Sequence, residues 1–218
     1  MSEPASRPVD WHFDVLSPFA RIHLSMLDAL PAGTVVRPVP TLLGALLKHW
    51  GQLGPAEIAP KRTHTYRLAS HVAARNGVAL RFPPRHPFNP LPAMRMLAGM
   101  NGAAGPTLPE VETAMRHIWD EGRAPDDEAG ILALAASLDV DPALATAEPG
   151  KAALRANTDG AIARGVFGVP TFALPRGNGH ELFWGVDAFP MLLDALADPG
   201  MFEREPYASE PEYGIRRR

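Results

Sequence analysis

The stretch Val9-Asp10-Trp11-His12-Phe13-Asp14-Val15-Leu16-Ser17-Pro18-Phe19-Ala20 decides how this chain is read. Positions 9, 11, 13 and 15 are apolar while 10, 12 and 14 are polar, which is the two-residue period of a β-strand. Ser17-Pro18 then has the chemistry of a helix start. A serine oxygen can cap unpaired backbone N–H groups, and proline fits the first helical position because it has no N–H to leave unpaired. Phe19, Ile22, His23, Met26, Leu27 and Leu30 continue at helical spacing. Pro31-Ala32-Gly33 stops that helix and residues 34–39 read as a second strand, so residues 8–40 are expected to form a βαβ unit with a parallel strand pair.

Beyond residue 41 the pattern changes. Alanine-rich helical patterns occupy residues 42–50, 60–76, 89–99, 108–121, 127–137 and 142–164, with turn-rich connections at 77–90 and 101–106 and no strand pattern among them. Residues 169–174 and 181–184 read as two strands of a hairpin separated by residues 175–179, and a helix is expected from Asp187 to about Ala197. Residues 199–218, ending in Arg216-Arg217-Arg218, are expected to be a poorly packed tail whose arginines solubilise rather than bind nucleic acid. The order β-α-β, helices, β-β-α is that of an α/β, thioredoxin-like domain. Residues 8–40 and 165–198 would form that discontinuous domain and residues 41–164 an all-helical insertion.

The 218 residues, 46% hydrophobic and 21% charged, are enough for a substantial core. A net charge of −3 gives no basic field to gather nucleic acid or an anionic membrane, so neither partner is expected. No apolar run approaches the ~20 residues of a membrane span. Residues 1–10 lack the basic start and apolar stretch of a secretory signal, and the expected location is the cytoplasm. The chain has 0 cysteines, which removes a cysteine nucleophile, a dithiol redox couple and a thiolate zinc site together. Any thiol in its chemistry has to be brought in. The 8 histidines form no HExxH pattern or tight ligand cluster, so no metal site is expected. Gly99, Gly102 and Gly105 match neither the phosphate-loop nor the dinucleotide fingerprint, and no Gly-x-Ser-x-Gly elbow surrounds Ser17.

On local sequence Ser17 reads as an ordinary helix cap. Two stretches taken together suggest more. Around Ser17 the chain resembles the dithiol motif Cys-Pro-x-Cys with Ser17 and Ala20 at the cysteine positions, and Val169-Pro170-Thr171 resembles the loop whose proline is cis in thioredoxin-like domains. Phe13-Asp14-x-x-Ser17-Pro18-Phe19, Leu43-Gly44-x-x-x-Lys48, Phe167-Gly168-Val169-Pro170-Thr171 and Trp184-Gly185-x-Asp187 resemble the 2-hydroxychromene-2-carboxylate isomerase family, whose nearest relatives are the kappa-class glutathione transferases. The similarity spans about residues 9 to 197.

That resemblance implies glutathione as cofactor, a small-molecule substrate and a homodimer. It implies that Ser17 donates a hydrogen bond to the glutathione sulfur and stabilises its thiolate, which would add reversibly to an aromatic-derived unsaturated carboxylate. Val169, before Pro170, would pair its backbone with glutathione like an added strand. Asp187 would accept the γ-glutamyl ammonium or simply cap a helix, and Trp184 would border the pocket or lie in the core. Lys48 and Asn89 would handle substrate, against their generic roles as a surface lysine and a loop amide. After Lys48 the chain reads Gly51-Gln52 where relatives often have Gly-Asn, so one substrate-contacting asparagine has no counterpart. Two alternatives stand beside the isomerase: a kappa-like transferase that consumes glutathione, and a cysteine-less thioredoxin-like module that binds peptides beside Pro170.

Overall fold

A computed structural model describes residues 7–209, so the expected arginine end at Arg216–Arg218 lies outside the described residues, as do residues 1–6. Strand β1 (Arg7–Phe13) leads through a short elbow to helix α1 (Pro18–Leu24), and strand β2 (Thr34–Pro40) returns parallel to β1, with Phe13 opposite Pro40. Helices α2 (Leu43–Trp50), α3 (Ala59–Arg75), α4 (Leu91–Gly99), α5 (Leu108–Trp119), α6 (Glu128–Leu138) and α7 (Glu148–Ala163) follow. Strands β3 (Thr171–Arg176) and β4 (Gly179–Trp184) and helix α8 (Phe189–Ala197) complete the order, and the sheet runs β2-β1-β3-β4. β1 is therefore central, parallel to β2 and antiparallel to β3, with His12 opposite Thr171.

The alternation along β1 has an unexpected meaning. Val9, Trp11 and Phe13 join the main apolar core, but Asp10, His12 and Asp14 are buried too, because helices cover both faces of this central strand. Each polar side chain on that second face finds a partner. Asp10 takes a bidentate Arg37 at 2.7 and 2.6 Å and Arg164 at 2.7 Å, which overcome the upward push of burial and hold its carboxyl below its ordinary value. His12 Nδ1 meets the Thr41 hydroxyl at 3.0 Å.

Proline explains where the observed elements depart from the expected ones. The helix expected over residues 142–164 divides into a 3₁₀ turn at Pro142–Ala145 and α7, with Pro149 in the first turn of α7, where a continuous helix would need its missing N–H. The last helix starts at Phe189 with Pro190 in its first turn, while Val186–Ala188 forms a separate 3₁₀ turn. The hairpin is tighter than expected. Pro175 and Arg176 belong to β3, opposite His180 and Gly179, and only Gly177-Asn178 turns the chain, with Gly177 at φ +54°. Part of the expected tail is packed: Met201 is buried with the core, and the Arg176 guanidinium lies over the Phe202 ring at 5.4 Å from its centroid.

Candidate functional site

The parallel ends of β1 and β2, the start of α1, the start of α2 and the loop before β3 meet at one end of the sheet. Ser17 stands at the N-cap position of α1 with extended dihedrals (φ −93°, ψ 116°), yet its side chain makes no capping hydrogen bond. The hydroxyl, in a residue only 6% exposed, has no hydrogen-bond partner among the described residues. It remains free to donate to something else at the start of α1.

The elbow that presents this hydroxyl is tied down almost atom by atom. The Val15 N–H donates to Met94 Sδ at 3.4 Å, and the Val15 carbonyl accepts from Trp119 Nε1 at 2.8 Å. The Leu16 N–H donates to Asp14 Oδ1 at 2.9 Å, while His86 Nε2 donates to the Leu16 carbonyl at 2.9 Å. The Ser17 N–H closes on the Asp14 carbonyl at 3.0 Å. Since a carbonyl only accepts, His86 carries its proton on Nε2, and its Nδ1 lies 2.8 Å from the Tyr66 hydroxyl. Burial lowers the pKa of His86, and the Leu16 carbonyl opposes that shift.

Register brings the second half of the site alongside. With His12 opposite Thr171, the preceding Val169-Pro170 lies beside the end of β1, and this peptide bond is cis, as the resemblance implies. The Pro170 carbonyl accepts from the Gly185 N–H at 2.9 Å, and the Thr171 hydroxyl donates to the Gly168 carbonyl at 2.7 Å. Neither the N–H nor the C=O of Val169 has a hydrogen-bond partner among the described residues, although the residue is only 8% exposed. An unpaired donor and acceptor on one nearly buried residue is the arrangement that an extended peptide can satisfy.

Trp184 and Asp187 flank this loop. Trp184, for which core and pocket rim were both open, is 51% exposed, sets its ring against Phe167 at 5.3 Å between centroids and covers Gly168. Asp187 is exposed inside the 3₁₀ turn and does not cap α8, whose N-cap is Ala188; its carboxylate has no partner among the described residues. Ser17, Val169, Pro170, Trp184 and Asp187 thus share one end of the sheet. Lys48 and Asn89 are brought to its flanks without touching Ser17. Lys48 is exposed in the last turn of α2 with no ion-pair partner among the described residues. Asn89 is exposed, and its Oδ1 accepts from the Leu91 N–H at 3.1 Å, so the loop-amide role is filled while its Nδ2 has no partner among the described residues. Sequence reasoning assigned no role to Asp14, Tyr66, His86, Met94 or Trp119; the signal available was a polar residue within a central strand and a histidine beside the Asn89 loop.

The described residues contain no group of three or more histidine, aspartate or glutamate side chains arranged to hold a metal ion, and no helix long and apolar enough to cross a membrane. A four-stranded mixed sheet, a helix starting directly after its central strand, a cis proline beside that start and an interrupting helical block define a thioredoxin-fold protein of the DsbA type. Residues 8–197 match the DSBA-like thioredoxin domain family, and the chain belongs to it. Its fold is similar to that of a 2-hydroxychromene-2-carboxylate isomerase, at 27% identity over 87% of this chain and 94% of that one, with a TM-score of 0.73. It also resembles a probable DsbA oxidoreductase from Streptomyces coelicolor (22% identity, 92% of each chain, TM-score 0.60) and the cytosolic disulfide reductase DsbM from Pseudomonas aeruginosa (18% identity, 87% of this chain and 98% of that one, TM-score 0.57). No curated protein matches the sequence.

Proposed function

We propose that the chain is a glutathione-dependent isomerase of an aromatic-derived unsaturated carboxylate of the 2-hydroxychromene-2-carboxylate kind. The observation that carries this reading is the uncapped, nearly buried hydroxyl of Ser17 at a position where DsbA-type chemistry needs a sulfur-directed group. The similarity to the isomerase supports it. DsbM, which shares the fold at 18% identity, has a structure with GSH.

The residues present fit glutathione. Val169 offers an unpaired backbone donor and acceptor, Asp187 an unpaired carboxylate for an ammonium group, and Trp184 an exposed ring at the rim. Bound glutathione supplies the thiol nucleophile that a chain with 0 cysteines lacks. Ser17 donates a hydrogen bond where the sulfur carries charge, which favours the ionised form and lowers the thiol pKa. Val169 fixes the extended peptide in register, so orientation is settled before reaction. Lys48 offers a cation for the substrate carboxylate, and Asn89 an amide donor on the other flank.

A glutathione titration by calorimetry, paired with ultraviolet difference absorbance at the thiolate band, tests this on wild type and Ser17→Ala. Saturable binding with a lowered thiol pKa, weakened in Ser17→Ala, supports the reading and leads to a turnover assay with chromene carboxylates. Glutathione consumed in step with product would instead indicate a transferase. No binding at millimolar glutathione overturns both and leaves the peptide-binding module.

A further inference from the structure

Asp14 is an ionisable group at this end of the sheet to which the chemistry above gives no task. It is 0% exposed, forms no ion pair among the described residues, and divides its carboxylate between two chain segments. Oδ1 accepts from the Leu16 N–H at 2.9 Å, and Oδ2 accepts from the Leu43 N–H at 2.9 Å. Leu16 precedes Ser17, and Leu43 is the first residue of α2, whose last turn bears Lys48.

A buried carboxylate without a cation is costly to the fold, and both N–H groups only partly offset the cost: burial pushes its pKa up to about 6. Asparagine, the neutral side chain of the same shape, presents one acceptor and one donor, so it cannot serve two converging N–H groups. The ionised acid can. We propose that Asp14 is a positioning residue that clamps the Ser17 elbow to the start of α2 and so fixes the sulfur-directed hydroxyl relative to the helix bearing Lys48. This rests on the reading of Ser17 and Lys48 given above.

The clamp works only while both oxygens accept. A proton on either turns it into a donor facing an N–H, and one of the two bonds is lost. The clamp is therefore complete above a pH of about 6 and half released below it. One neighbour touches a reporter: His86, across the elbow, whose pKa burial lowers, bonds the Leu16 carbonyl, so the Leu43 amide reads Asp14 apart from it. His12, two residues back on β1, is pushed down to about 4 by burial and stays neutral in this range. Arg21 of α1 pairs with Asp120, and Arg164, which follows α7, pairs with Asp10. Lys48 and His49 lie in the last turn of α2, away from its start.

Amide proton shifts of Leu16 and Leu43, followed by NMR against pH, test the clamp without any ligand. Both amides titrating together near 6 in wild type, with Leu43 flat and the Leu16 change reduced in Asp14→Asn, is the expected result. Leu43→Pro removes one donor at a first helical position, where Leu42 already has the extended dihedrals (φ −76°, ψ 109°) that proline requires. Losing a donor to the ionised form raises the midpoint read at the Leu16 amide. Either amide flat across this range in wild type, or an unmoved Leu16 midpoint in Leu43→Pro, overturns the clamp. Its positioning role is read from turnover against pH: Asp14→Asn should lose about tenfold or more and also lose the acidic limb, whereas turnover and pH profile equal to wild type overturn that role. Should wild type bind no glutathione, the isomerase reading fails while the amide titration still decides the clamp.

Discussion

Trp119 donates its indole N–H to the Val15 carbonyl at 2.8 Å across 104 residues of chain, so the last residue of α5 holds the elbow that presents Ser17. The inserted helices are part of the site's scaffold. Trp119→Phe keeps much of the ring packing against Phe82, Phe88 and His86 but leaves the Val15 carbonyl unpaired. Urea denaturation should show a loss of about 2 kcal/mol. A midpoint equal to wild type would contradict this support.

Two alcohol-to-alanine changes at helix starts should differ sharply. Thr107 caps α5, accepting from the Glu110 N–H while the Glu110 carboxylate accepts from the Thr107 N–H at 2.6 Å, and Thr107→Ala should cost about 1 kcal/mol. Ser17 makes no such bond, so Ser17→Ala should cost less than about 0.5 kcal/mol while weakening glutathione binding. Equal losses of stability in the two variants would show that Ser17 is only a cap.

Acid should destabilise the protein through its buried imidazoles. Burial pushes His12 and His23 each down to about 4, and the Nε2 of each has no partner among the described residues. Their folded pKa values are depressed below the unfolded 6.5, so their contribution is present above that pH and is lost as pH falls toward 4, at roughly 3 kcal/mol per histidine. Asp14, raised from 3.8 to about 6, acts in the opposite sense and is outnumbered. Melting temperature should therefore fall between pH 6.5 and 4. In His23→Leu it should fall less, from a lower starting value, because the Trp11 indole N–H loses its acceptor. A flat profile in wild type would refute this account.

Gly168 tests the aromatic rim. A Cβ there would lie 2.6 Å from Trp184 Nε1, so Gly168→Ala must displace the indole and separate it from Phe167. Because Trp184 is half exposed, stability should change by less than about 1 kcal/mol. The tryptophan emission should shift, and glutathione affinity should fall. Unchanged emission would place the ring away from Gly168.

Much of the fold was legible because its signals are local. The alternation in β1, Ser17-Pro18 at the start of α1 and the alanine-rich periodicity of the insertion each lie within a few neighbouring residues. Of the candidate site, the place of Ser17 at a helix start was legible locally, whereas the cis Val169-Pro170 bond followed only from the resemblance to thioredoxin-like domains, since a lone X-Pro bond favours trans. What escaped is non-local. The partners of the elbow, Leu43, His86, Met94 and Trp119, are separated from their contacts by 29, 70, 79 and 104 residues. Period-two patterning likewise reports polarity and not cover, so it could not show that Asp10, His12 and Asp14 would be enclosed. Pro149 was read as helix interior although it marks the first turn of α7, and Pro175 was read as a turn residue although a β-strand at a hairpin tolerates it.

β2 forms one outer margin of the sheet, and two of its seven residues, Pro38 and Pro40, have no N–H. A strand from a second molecule that approached this margin would find gaps in the ladder at both positions. The rim is thereby blunted against edge-to-edge zippering, a safeguard against fibrillar growth at high concentration that is written into the same strand that carries the chain toward the Ser17 end of the sheet.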